Sequence, residues 1–135
     1  MTGKHSGSCL CGGVTFEITG DFKNFFLCHC NRCRKGTGTV HGANLFAQPA
    51  ELTWLSGEDQ VRIYHLPGSR HAKSFCTTCG SALPGRDAAS GLVVAPAGSL
   101  DSPVTIEPSA HIMMADKADW EEALKDAPQF DKYPE

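Results

Sequence analysis

Seven cysteines in 135 residues fall into three tight groups, and their spacing constrains this chain more than any other feature. The groups are Cys9-Leu-Cys11, Cys28-His-Cys30-Asn-Arg-Cys33 and Cys76-Thr-Thr-Cys79. An odd number of clustered thiols, behind a start MTGKHSGSC that lacks the basic region and apolar run of an export signal, argues against a disulfide framework. Metal binding or thiol chemistry is expected instead, in a cytoplasmic setting, and Thr2 excludes N-myristoylation.

Zinc takes tetrahedral sulfur and nitrogen ligands; a structural site closes all four positions, whereas a catalytic site keeps one open. Seven thiolates divide naturally into four and three. Cys76 and Cys79, two residues apart, can grip one ion from a tight turn, and Gly80 supplies the positive φ that such a turn often needs. Cys9 and Cys11 point to the same side if their stretch is extended, so they form a compatible second half-site. The four-thiolate pairing would staple residue 9 to residue 79. In a small domain with a limited core, the free energy of binding zinc becomes folding free energy, so a structural role is expected. Two other readings stand beside it: four buried apolar thiols, or a thioredoxin-like redox pair at Cys76 and Cys79.

The middle group leaves Cys28, Cys30 and Cys33 with no further cysteine to complete a shell, and an open coordination position follows. Such a site can take up an incoming thiol and keep it as thiolate at neutral pH. Arg32, Arg34 and Lys35 flank it, favouring thiolates and offering charge to the carboxylates of an acidic ligand. Gly36-Thr37-Gly38 offers backbone donors beside them, and Thr37 is a candidate ligand contact. The competing readings are a closed Cys3His site completed by His41 or another histidine, a labile site often empty and oxidised to a disulfide, and a solvated basic turn. His29 points away from both neighbouring cysteines in an extended strand. His111 is either a donor, acid or base near the open position or simply a hydrogen-bonded histidine. Two zinc ions per chain are expected, the second at partial occupancy.

Between the cysteine groups the chain reads as short strands. Val14, Phe16 and Ile18 alternate with polar residues, after a turn allowed by Gly12-Gly13. Similar segments are 24–27, 39–46, 52–54, 61–64, 72–75, 92–95 and 111–114, separated by Gly, Pro, Ser or Asp. Pro67-Gly68 marks a hairpin turn. The expectation is a mainly β fold with a short C-terminal helix over 117–126, capped by Asp116, with Trp120 and Leu124 on one face and Pro128 ending it. Trp54, Phe75 and Trp120 are the expected large core aromatics.

Twelve Lys and Arg against fifteen Asp and Glu give a net charge of −3, which removes the electrostatic footprint of a nucleic-acid binder. No apolar stretch approaches the ~18 residues of a spanning helix, so no membrane partner is expected. No repeat, low-complexity segment or linker divides the chain, and one domain over 1–135 is expected.

The segments GSCLCGGVTFEI, CHCNRCRKGTG, FCTTCGSAL, HIMMADKADW and PQFDKYP together resemble the glutathione-dependent formaldehyde-activating enzyme family, which includes centromere protein V. The resemblance implies a zinc-stapled small β-sheet domain of the β-tent type, its motif-bearing core at about 5–127. It implies that Cys9, Cys11, Cys76 and Cys79 hold a structural zinc, and that Cys28, Cys30 and Cys33 hold a catalytic one. The activity it implies is that of a carbon-sulfur lyase, joining formaldehyde or another small aldehyde to glutathione or a related thiol as an S-hydroxymethyl adduct, reversibly. A non-catalytic zinc-stabilised binding module and a thiol redox sensor using the central trio are the alternatives in other classes.

Overall fold

Strands form where apolar side chains alternate, and they pair into three small sheets. A computed structural model of the chain describes residues 3–134; Thr2, which bears on N-myristoylation, lies outside them. The first sheet carries β1 (Lys4–Ser8), β2 (Thr15–Thr19) and β5 (Glu51–Ser56) in the order β1-β2-β5. The second has the order β11-β3-β4-β10-β9, from β3 (Asn24–Cys28), β4 (Gly42–Ala47), β9 (Gly85–Arg86), β10 (Val93–Pro96) and β11 (Ala110–Ile112). The third joins β6 (Val61–His65), β7 (Ala72–Cys76) and β8 (Ala82–Leu83). Neighbours are antiparallel except β11, which runs parallel to β3. This is the mainly β architecture expected, with Gly68 at positive φ in the β6–β7 hairpin. Among the described residues no helix is long and apolar enough to cross a membrane.

The core follows from the period-2 pattern. Val14, Phe16 and Ile18 from around β2 are fully buried, as are Leu45 and Ala47 of β4 and Val93 and Ala95 of β10. Cys9 and Cys76 belong to the same cluster, so two of the grouped thiols grow directly out of the apolar interior. Trp54 packs against this core, edge-on to Phe16 at 6.0 Å, as expected of a core aromatic. Phe75 is half-buried. Trp120 is 50% exposed, which overturns its assignment to the core; the small side chain of Ala118, at 6%, is buried in its place in that segment.

The C-terminal helix is present, but as a 3-10 helix that starts at Glu121 and runs to Asp126. Asp116 closes a separate 3-10 turn over Met114–Asp116 and caps nothing. Ten residues with Trp120 and Leu124 both exposed do not offset the cost of nucleating an α-helix, and the chain settles into tighter i→i+3 bonds. The α-helix among the described residues, α1, spans Asn31–Thr37, a segment for which a solvated basic turn is one of two sequence readings and a helix neither. No apolar periodicity announces it. Cys30 caps it at one end and Gly38, in the left-handed region, closes it at the other.

Candidate functional site

Four sulfurs meet where the ends of β1 and β7 approach. Cys9, Cys11, Cys76 and Cys79 each place Sγ within 4.8 Å of the others, with Cys9 and Cys11 at 3.5 Å and Cys11 and Cys76 at 4.0 Å. Four ligands at about 2.3 Å from a tetrahedral zinc stand about 3.8 Å apart, so these separations fit such an ion. Each half-site is a turn closed by its glycine: Gly12 N–H donates to the Cys9 carbonyl at 3.0 Å, and Gly80 N–H to the Cys76 carbonyl at 2.7 Å. Both glycines have positive φ, +79° and +77°, which residues with a Cβ adopt at a cost. The two halves are cross-braced, since Leu10 N–H donates to Ser81 Oγ at 2.9 Å.

Polar groups around the cluster bias two of its sulfurs, those of Cys79 and Cys9, toward thiolate. The Ser81 hydroxyl, 3.2 Å from Cys79 Sγ, does most to lower the Cys79 thiol, to about 5. Cys9 is opposed by its own burial but still falls below the ordinary thiol range, because Val14 N–H donates to its sulfur at 3.3 Å and Cys11 and Cys76 add to the effect against Cys79. Cys11 accepts a lowering contact from Gly13 N–H, yet the crowd of Cys9, Cys79 and Cys76 raises it to about 11.

The second group is Cys28, Cys30 and Cys33, whose sulfurs also lie within 4.8 Å of one another. Cys28 ends β3; Cys30 is the N-cap residue of α1, and its Sγ accepts from Cys33 N–H at 3.4 Å. Among the described residues no fourth Cys, His, Asp or Glu joins this group. His41, the fourth ligand in the closed-site reading, is therefore not part of it. Burial works against thiolate at Cys30, but the Cys33 N–H and the flanking thiols outweigh it and lower Cys30. Cys33 moves the other way, raised first by its burial and then by Cys28 and Cys30. Gly42 pairs with Cys28 across the sheet, and a Cβ there would stand 3.5 Å from Cys33 Sγ. All seven cysteines are free of disulfides.

Alternation along β3 turns His29 to the opposite face from Cys28. There it is fully buried, with Nε2 at 2.9 Å from His111 Nδ1 and Nδ1 at 3.0 Å from Glu121 Oε1. The contact with Glu121 is close, but its angle falls short of a well-formed hydrogen bond. Its backbone N–H donates to the Ile112 carbonyl at 3.0 Å. His41 stacks edge-on at 5.0 Å, and burial, aided by His29, pushes it below the ordinary histidine range. His111 and Glu121 also line a pocket of about 320 Å³ under the C-terminal turn. Glu121 was invisible to sequence reading, because nothing in KADWEEALKD marks one glutamate as the partner of a buried ring.

The remaining expected contact residues spread along α1. Arg32 and Lys35 are exposed, while Arg34 is half-buried with its Nε enclosed and unpartnered among the described residues. Thr37 Oγ1 donates to the Cys33 carbonyl at 2.8 Å, so its hydroxyl serves the helix. Gly38 N–H is likewise taken by the Arg34 carbonyl, and the Gly36 carbonyl receives Lys73 Nζ from β7.

A family model described as glutathione-dependent formaldehyde-activating enzyme matches residues 4–116, well over half of the chain. In solved structures the chain is similar to a structural-genomics crystal structure of a Rhodobacter sphaeroides protein, with a TM-score of 0.57 and 22% identity. That likeness covers 78% of this chain and 98% of the other, and it concerns the fold.

Proposed function

The chain belongs to the glutathione-dependent formaldehyde-activating enzyme family, and from that premise we propose that it adds a low-molecular-weight thiol to a small aldehyde at the Cys28, Cys30 and Cys33 centre, reversibly. Glutathione and formaldehyde are the substrates that membership suggests. In the forward direction the thiol sulfur bonds to the aldehyde carbon, the C=O π pair moves to oxygen, and that oxygen takes up the proton the thiol gave. The reverse step breaks the same C–S bond, which is carbon-sulfur lyase chemistry.

The observation that carries this reading is the difference between the two groups: four sulfurs gathered in one and three in the other. Both donor sets suit zinc, all-thiolate and free of disulfides. Cys9, Cys11, Cys76 and Cys79 would hold a structural ion; Cys28, Cys30 and Cys33 would hold one with a vacancy. When bound at the trio, zinc supplies positive charge that lowers the pKa of a coordinated thiol. The chain's own residues do the rest. Cys30, lowered by helix N–H donors, is the ligand most ready as thiolate. Exposed Arg32 and Lys35 attract the carboxylates of glutathione. Gly42, without a side chain, keeps space beside Cys33 Sγ. Clustered cysteines that serve as metal ligands, as this reading has them, go with a cytoplasmic setting.

The test is Cys30→Ser, assayed for adduct formation and cleavage. The reading expects loss of turnover with the fold and one zinc retained; wild-type rates would overturn it.

A further inference from the structure

His29 is hydrogen-bonded on two sides and faced by a carboxylate on a third, although its own side chain faces away from the thiols. Its N–H is fixed to β11 through the Ile112 carbonyl, its Nε2 to His111, and its Nδ1 faces Glu121. It is peptide-linked on either side to Cys28 and Cys30, so a change in the backbone torsions at 29 moves the two sulfurs relative to each other. Glu121 comes from the 3-10 helix Glu121–Asp126, beyond the 4–116 span that the family model matches. Its side chain is 14% exposed, against 0% for His29, which places a carboxylate in a largely enclosed setting beside a ring with no other partner for Nδ1 among the described residues. Glu122, its neighbour, turns instead to Lys117 and Lys125.

We propose that Glu121, acting through His29, is a positioning residue that holds the Cys28–Cys30 loop in metal-binding geometry, so that the C-terminal segment outside the family core sets how firmly the trio keeps its ion. The inference rests on the reading of the trio as a zinc centre. Partners one shell out from a metal commonly change its retention by about 10–100-fold when removed. Here the effect runs through the backbone of a residue between two ligands, and the tetrathiolate site, built from other elements, is unaffected.

The experiment uses the two-zinc protein and the variants Glu121→Gln and Glu121→Ala, and follows zinc release to a chromogenic chelator. The slow phase from Cys9, Cys11, Cys76 and Cys79 serves as internal reference. The expected result is inner release accelerated at least about tenfold in Glu121→Ala, less in Glu121→Gln, which keeps the shape, and an unchanged outer phase. Unchanged inner release in both variants overturns the proposal. Equal acceleration of both phases also overturns it, because that is loss of the fold and not of one loop. A chain that retains the inner ion in a Glu121-dependent way yet forms no glutathione adduct supports the proposal and overturns the catalytic reading. A wild-type chain that takes up one ion only overturns both.

Discussion

Cys11 and Cys76, separated by 65 positions in the chain, bring their sulfurs to 4.0 Å. Cys76 is fully buried in the apolar cluster and Cys11 is exposed, so the pair joins the interior of the protein to a surface knuckle. A zinc held there links β1 to β7, and its binding free energy is folding free energy. Replacing Cys76 by Ser should remove that ion together with the cooperative thermal transition, since structural zinc contributes on the scale of the whole stability of a small domain, about 5–15 kcal/mol. Calorimetry with zinc analysis checks this, and a variant that melts like wild type contradicts it.

Gly42 governs the space above the inner trio. A Cβ there meets Cys33 Sγ at 3.5 Å and Asn44 Nδ2 at 3.3 Å, so Ala is nearly accommodated and a branched side chain is not. Gly42→Ala should keep most adduct formation. Gly42→Val should lower it at least about tenfold, equivalent to about 1.4 kcal/mol in the barrier, and should lower the melting temperature as well, because Gly42 is buried and overpacking costs about 1–3 kcal/mol. Parallel rate and melting measurements read the two effects apart.

Gly7 faces Phe16 across β1 and β2. A methyl at that position would overlap the Phe16 ring and crowd the Ser99 carbonyl. Gly7→Ala should therefore destabilise the protein by about 2–3 kcal/mol, the usual cost of overpacking. Because ring and methyl compete for one volume, the cost should fall markedly in a Phe16→Leu background, and a double-mutant cycle by denaturant titration measures the difference. Strict additivity would show that the two positions do not share that space.

Lys117 and Glu122 pair at 2.6 Å on the surface of the C-terminal segment. The hydrogen bond from Lys117 is the first cause that lowers the Glu122 carboxyl, and the same bond raises Lys117. A carboxyl lowered on folding adds stability above its ordinary range, near 4.3, and loses it as pH falls through the lower folded value. A lysine raised on folding adds stability below about 10.4 and loses it as pH rises through the higher folded value. Glu122→Gln should flatten both limbs of a melting-temperature profile in low salt and have little effect in 1 M salt, because the pair is exposed and screened.

The cysteine groups were legible because metal spacing is local, and the strand core because Val14, Phe16 and Ile18 alternate in plain view. Trp120 misled because an aromatic near the end of a helical-looking segment carries no mark of whether a sheet lies beneath it. The helix Asn31–Thr37 was hidden because its stability comes from caps at Cys30 and Gly38 and not from an apolar stripe. The His29 cluster was hidden for a different reason: its partners His111 and Glu121 arrive through the parallel pairing of β11 and a distant turn, and no local pattern encodes such a meeting.

Anomalous diffraction at the zinc edge, on crystals soaked with glutathione, addresses the division of sulfurs directly. The account predicts two ions, one bound by Cys9, Cys11, Cys76 and Cys79 alone, and one bound by Cys28, Cys30 and Cys33 with the glutathione sulfur as fourth ligand. An ion shared between the two groups, or an inner ion whose fourth ligand is a protein atom that glutathione does not displace, would contradict it.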